Sequence, residues 1–168
     1  MTNEYIAGLF DGDGCVRILY RDSVISNRCY YIDIQITNNY LPVLETIQGI
    51  WKGNIFTHND TFQWRLTSKK AYAFLKAIYP YIVIKKKQTA IALEFQKRLL
   101  RSKRSRLMHK KGIKGALGFR SISNKEMEWR DKAYLEISRL KNPETFELKK
   151  LSRKSRLIRR NAEMQTPS

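Results

Sequence analysis

Ile6-Ala7-Gly8-Leu9-Phe10-Asp11-Gly12-Asp13-Gly14, IAGLFDGDG, closes an apolar opening helix with two carboxylates and three glycines. Thr2 or Asn3 is expected to cap this helix, and Tyr5, Ile6, Leu9 and Phe10 give it an apolar stripe. It should run to about Gly12, with Gly14 as the left-handed stop. At roughly 100° per residue Asp11 and Asp13 point about 200° apart, so the two carboxylates have separate tasks. Both lie at the negative end of the helix dipole, beside carbonyls without partners, where a carboxylate is disfavoured unless a cation offsets it. The Asp13 carboxylate and the Gly12 carbonyl make an all-oxygen partial site of the kind magnesium accepts, with room for water and phosphate oxygen. Gly8 and Gly12, four apart, share a face on which a second helix can approach backbone to backbone, and Tyr5 adjoins it. A second copy there would bring two Asp13 carboxylates together, which again calls for a metal.

Downstream, the apolar spacing changes from helical to alternating. Val16, Ile18 and Tyr20 alternate over Cys15–Tyr20, and Ile32, Ile34 and Ile36 over Tyr30–Thr37. This predicts two half-buried strands joined by a polar loop around Asp22–Arg28. Asn39 is expected to cap a helix from Tyr40 to about Trp51, with Pro42 in its first turn and Gly53 beyond its end. A second hairpin, Asn54–His58 and Phe62–Thr67, turns at Asn59-Asp60. Ser68 should cap a third helix ending before Pro80, and a fourth runs from about Lys85 to Ser102. The order αββαββα predicts an α+β fold: four strands in one antiparallel sheet, with helices on a single face. Residues 1–102 are therefore read as the core domain and 103–122 as a basic loop. Residues 123–161 form a C-terminal helical extension, opened by a Ser123/Glu126 capping box and continued from Asn142-Pro143; 162–168 make a disordered tail.

Charge is divided unevenly. The chain carries a formal net charge of +18; residues 1–84 hold 8 Lys and Arg against 7 Asp and Glu, whereas residues 85–168 hold 25 against 8. Between Lys97 and Arg120 stand ten basic residues and no acid, and Lys149–Arg160 adds seven more. Self-repulsion of that size opposes compaction unless a polyanion neutralises it, so nucleic acid is the expected partner. No apolar run is long enough to span a membrane and no secretory leader is recognisable, so an intracellular protein without a membrane partner is expected. Cys15 and Cys29 are too few for a zinc site or a disulfide framework and read as ordinary small side chains.

With the isoleucines turned to the helices, a period of two sends Arg17, Leu19, Arg21, Tyr31, Asp33, Gln35 and Thr37 to the other face of the sheet. The second hairpin adds Asn54, Phe56, His58, Gln63 and Arg65. Most of these types read base edges, and a twisted antiparallel ribbon fits a major groove; a merely solvated face is the plain alternative. Asp33 would accept only from cytosine and Leu19 would touch only a thymine methyl, so both would restrict the target rather than add general affinity.

IAGLFDGDG resembles the LAGLIDADG motif of homing endonucleases, with Ile6 for the first Leu, Phe10 for Ile and Gly12 for the second Ala. The αββαββα order is similar to that family's fold, and the likeness spans about residues 2–100. A single motif resembles the homodimeric members, archaeal intron-encoded ones among them, in which two motif helices pack at the subunit interface. The resemblance implies a metal ligand at Asp13 with the Gly12 carbonyl, and a helix-end and interface residue at Asp11. It places a water-positioning role at Asn38, where the family commonly has Gln, and a phosphate-side cation at Lys85, with Lys87 as the next candidate and a DNA-binding residue, and Lys86 between them in the same run.

The expectation is a homodimeric, site-specific, magnesium-dependent endonuclease that hydrolyses phosphodiester bonds in a long pseudo-palindromic DNA target, in a prokaryotic cytoplasm or an organelle. Two rivals are an RNA-binding intron maturase on the same scaffold and a DNA-binding regulator without catalysis.

Overall fold

The computed structural model describes residues 1–21, 29–101 and 123–141. The expected loop at 22–28, the basic loop at 103–122, the helix after Asn142 and the 162–168 tail lie outside the described residues. Helix α1 (Asn3–Asp13) is followed by strands β1 (Gly14–Arg21) and β2 (Cys29–Asn38), helix α2 (Leu41–Trp51), strands β3 (Asn54–His58) and β4 (Thr61–Thr67), and helix α3 (Ser68–Ile78). A 3₁₀ turn (Tyr79–Tyr81) leads to α4 (Lys86–Arg101), and α5 spans Asn124–Lys141. The four strands form one antiparallel sheet in the order β1-β2-β4-β3, so the expected α+β architecture is present. No helix among the described residues is long and apolar enough to cross a membrane.

Strand parity decides the two faces. Val16 lies opposite Ile34, Ile18 opposite Ile32, and Ile34 and Ile36 opposite Leu66 and Trp64. All of these side chains are buried, against Ile6, Phe10, Leu44, Ile47, Phe74, Leu75 and Phe95 from the helices. Phe74 sits at the centre, with the rings of Phe10, Trp51 and Trp64 at 5.8, 5.4 and 5.1 Å. Burying each such aromatic side chain contributes on the order of 2 kcal/mol, so the helix layer and the sheet hold each other.

Three local expectations fail for physical reasons. Gly14 does not stop α1 in a left-handed turn: it is extended, at φ −82° and ψ 159°, and already starts β1. Its lack of a side chain is needed because a Cβ would collide with the Phe10 carbonyl and ring. The α2 cap is Tyr40, not Asn39, and makes no side-chain cap bond; the Tyr40 N–H itself donates to Asn38 Oδ1, at 2.8 Å. Ser68 is the first residue of α3, at φ +52°, and Thr67 occupies the cap position. Beyond α2, Lys52 and Gly53 take φ +61° and +99°, and the indole N–H of Trp64 donates to the Lys52 carbonyl at 2.7 Å to hold that turn.

The chain divides into two compact units, Met1–Ile137 and Ser138–Ser168. Most of α5 therefore belongs with the core: Ala133 and Ile137 are buried, and Trp129 stacks on Phe95 at 5.3 Å and 9°. Only half of the expected capping box forms. The Glu126 N–H donates to Ser123 Oγ at 3.3 Å, while the Glu126 carboxylate accepts from Arg98 and Arg130. Cys15 and Cys29 are both free, at opposite ends of the β1–β2 pairing.

Candidate active site and sheet surface

Asp11 and Asp13 do separate things, as the helical spacing requires. Asp11 is 8% exposed, and its carboxylate turns to the chain entering α4. Oδ2 accepts from the N–H groups of Val83 and Ile84 at 2.7 and 3.1 Å, and Oδ1 from that of Lys85 at 2.9 Å. The Thr89 N–H donates to the Lys85 carbonyl at 2.9 Å, so these donors lie at the positive end of α4, where an anion is favoured. Burial acts to raise the Asp11 pKa, but the N–H donors of Val83, Lys85 and Ile84 and the Lys85 ammonium outweigh it. The carboxyl therefore ionises below its ordinary value. Asp11 thus makes its carboxylate bonds within its own chain.

Lys85 completes the reciprocal arrangement. Its ammonium donates to the Asp11 carbonyl and, at 3.4 Å, to the Gly12 carbonyl, so it supplies positive charge to the end of α1. The other two lysines are placed differently: Lys86 Nζ donates to the Tyr79 carbonyl at 2.8 Å and lies 4.3 Å from the Tyr79 ring centroid, and Lys87 is exposed.

Asp13 is exposed, and Asn38 Nδ2 donates to its Oδ2 at 2.8 Å. Asn38 reaches it because it ends β2 with the parity of Ile34 and Ile36, on the helix side of the sheet. Its Oδ1 accepts the Tyr40 N–H, which fixes the amide orientation, and one Nδ2 hydrogen is left over for a water. Among the described residues no cluster of three or more His, Cys, Asp or Glu exists. One chain therefore offers a carboxylate and a carbonyl at this point. That suits a hard divalent cation which keeps waters and takes further oxygens from phosphate or from a second copy.

On the opposite face, Arg17, Leu19, Tyr31, Gln35, Thr37, Gln63 and Arg65 project away from the helices, and Arg21 lies 5.5 Å from the Tyr31 ring centroid. Asn54 and Phe56 share this face, opposite Arg65 and Gln63, and His58 pairs in register with Thr61. Gln63 donates to Thr37 Oγ1 at 3.5 Å. Asp33 departs from the expectation of a base contact: it is 0% exposed, because the arginines on both flanking strands fold over it. Arg17 Nε donates to Oδ2 at 3.0 Å and Arg17 Nη2 reaches the same oxygen, while Arg65 Nε donates to Oδ1. Alternation alone assigns Asp33 to this face; only the cross-strand register, Arg17 opposite Asp33 and Arg65 opposite Gln35, reveals that it is covered.

Tyr5, Gly8 and Gly12 are exposed along α1, and a Cβ built on either glycine meets nothing within 4 Å. The sequence carries no mark of the contacts of Val83 and Ile84 with Asp11. Among the described residues their side chains are the most exposed of the large apolar ones, at 78% and 76%, and they serve through their backbone, for which side-chain patterning gives no signal.

No curated protein matches the chain. Among solved structures, the homing endonuclease I-TnaI matches with a TM-score of 0.61 at 15% identity, over 84% of this chain and 94% of its own. I-CvuI, in complex with an I-CreI target, gives 0.54 at 18% identity, over 81% and 94%. The archaeal intron-encoded I-Vdi141I, complexed with DNA, gives 0.53 at 19%, over 78% and 95%. These likenesses show a common fold. The family model described as LAGLIDADG endonuclease matches residues 6–99, more than half of the sequence and the whole span from the opening motif to α4, and the chain belongs to that family.

Proposed function

We propose that the chain is a site-specific endonuclease for double-stranded DNA, acting as a homodimer on a pseudo-palindromic target inside the cell, with magnesium or another divalent cation. The observation that carries this reading is Asp13, held exposed at the end of α1 by Asn38, with the Lys85 ammonium on the carbonyl of the preceding Gly12. The family is described as one of endonucleases, and I-CvuI was solved on DNA with Mg and with Ca.

Asp13 and the Gly12 carbonyl would hold the cation, which when bound supplies charge neutralisation at phosphate and a more acidic water. Asn38 fixes the direction in which the Asp13 carboxylate points, and its remaining N–H holds a water. Lys85, through its ammonium, offsets charge that develops on the phosphate. Side chains of the open sheet face read base edges, while the basic residues beyond Lys97 grip phosphates and add affinity without sequence information. Two copies joined along α1 by Tyr5, Gly8 and Gly12 would bring both Asp13 carboxylates to one duplex, one per strand.

The test is incubation of the protein with duplex DNA carrying the sequence that flanks its own reading frame, with magnesium or with EDTA. Metal-dependent double-strand breaks at a defined site are expected, and Asp13→Asn should bind that DNA with unchanged affinity and not cut it. Binding without cutting by the parent protein at every site would return the chain to a non-catalytic DNA-binding role.

A further inference from the structure

Asp33 is an acid in the middle of a surface that the proposed function lays against phosphates and bases, where a carboxylate lowers general affinity. Its burial shows what it faces: two guanidiniums, one from β1 and one from β4, converge on its two oxygens. We propose that Asp33 is a positioning residue that sets Arg65 to read one guanine in each half-site, with Arg17 locking the arrangement. This rests on the DNA-binding reading above.

The assignment of roles follows from counting donors. A guanidinium has five N–H groups. Arg17 commits its Nε to Asp33 and its Nη2 to both Asp33 and Gln35 Oε1, the latter at 2.5 Å. Only Nη1 is left, which cannot make the two-pronged contact a base edge requires. Arg65 gives Asp33 its Nε alone, so both terminal nitrogens stay available. Both arginine side chains remain partly open to solvent, at 28% and 33%, while Asp33 is closed off. A pair of terminal N–H groups in one plane fits O6 and N7 of guanine in the major groove. The buried carboxylate removes the rotamer freedom that would let Arg65 swing to a phosphate, and so converts a non-specific cation into a reader.

Affinity and specificity should therefore move in opposite directions when Asp33 is neutralised. The experiment measures binding of full-length protein to a set of duplexes in which each target position is varied in turn, together with one unrelated duplex and a thermal melt. The parent protein should favour guanine at one position per half-site by roughly 10- to 100-fold. Asp33→Asn should flatten that position and bind the unrelated duplex as well as or better than the parent. Arg65→Lys, which keeps an ion pair with Asp33 but has no planar fork, should flatten the same position and decides the matter if Asp33→Asn does not fold. The proposal is overturned if Arg65→Lys leaves the profile unchanged, if the flattened position did not favour guanine, or if Asp33→Asn weakens every duplex equally. If the parent protein prefers no duplex at all, the DNA-binding reading falls together with this one; if it prefers one and the profiles fail as described, only the role of Asp33 falls.

Discussion

At the end of α1 the Asp11 carboxylate faces two helix dipoles of opposite sign. Its own helix disfavours it, and α4, whose first N–H groups it accepts, favours it. The sequence places a charge at the end of α1 but carries no periodic mark for a contact with Val83, 72 residues away, so the partner emerges only in the folded chain. Asp13 was more legible: the motif names it, and the parity of β2 brings Asn38 to it. The balance at Asp11 has a pH signature. Its folded pKa lies below the 3.8 of a free aspartate, so the stability it contributes is fully present above about pH 4 and is lost as pH falls through the folded value. Asp11→Asn puts an N–H donor against backbone N–H donors, and should destabilise the protein at pH 7 by about 2 kcal/mol. Thermal melts of parent and variant should lie apart above pH 5 and converge as the pH drops below 3.8. Curves that stay equally far apart down to pH 2 would show that the ionised carboxylate is not what binds the α4 entry.

Element by element, alternation was the most dependable signal. Three isoleucines on β2 fix which face meets the helices, and the open face follows from them without further information. The ends of elements were less legible, because caps depend on which neighbours reach them: Asn38, not Asn39, accepts the N–H of Tyr40, and Phe10 occupies the space over Gly14. Helix α5 shows the same dependence. Ser123-x-x-Glu126 reads as a reciprocal cap, yet the Glu126 carboxylate is drawn to two guanidiniums. Arg130 among them is only 7% exposed, while Arg98 is 47% exposed and lies 4.0 Å from the Trp129 ring centroid. Glu126→Ala therefore leaves a buried cation without its partner, at about 3–5 kcal/mol. Arg98→Ala removes a charge that water also solvates and should shift stability by less than about 1 kcal/mol. Denaturant unfolding separates the two: equal small effects would mean that Arg130 finds another acceptor and that Glu126 does not pin α5 to α4.

For the molecule as a whole, the charge imbalance and the bare glycines both point outside a single chain. Net charge is read from composition and needs no fold, which is why a polyanionic partner was evident at once. An interface between copies is not written in one chain's packing, and the proposed one rests on glycines that touch nothing of their own chain. Gly8 lies on an exposed helical surface where a methyl group meets nothing of its own chain. Considered alone, the protomer should gain from Gly8→Ala, by about 0.5–1 kcal/mol, because alanine restricts the unfolded chain and favours helix. In the proposed dimer the same methyl lies between two backbones in close approach, and overpacking of that kind costs about 1–3 kcal/mol. The two effects are separable by concentration. At high dilution, where protomers are apart, the variant should melt at or above the parent. In sedimentation equilibrium it should dissociate at roughly 10-fold higher concentration, since about 1.4 kcal/mol corresponds to that factor. In the proposed dimer both Asp13 carboxylates reach one duplex, so double-strand cutting should decline with the dimer fraction while binding to nucleic acid through the basic half persists. A variant that sediments like the parent would move the meeting point of the two copies away from α1, and with it the pairing of their Asp13 residues.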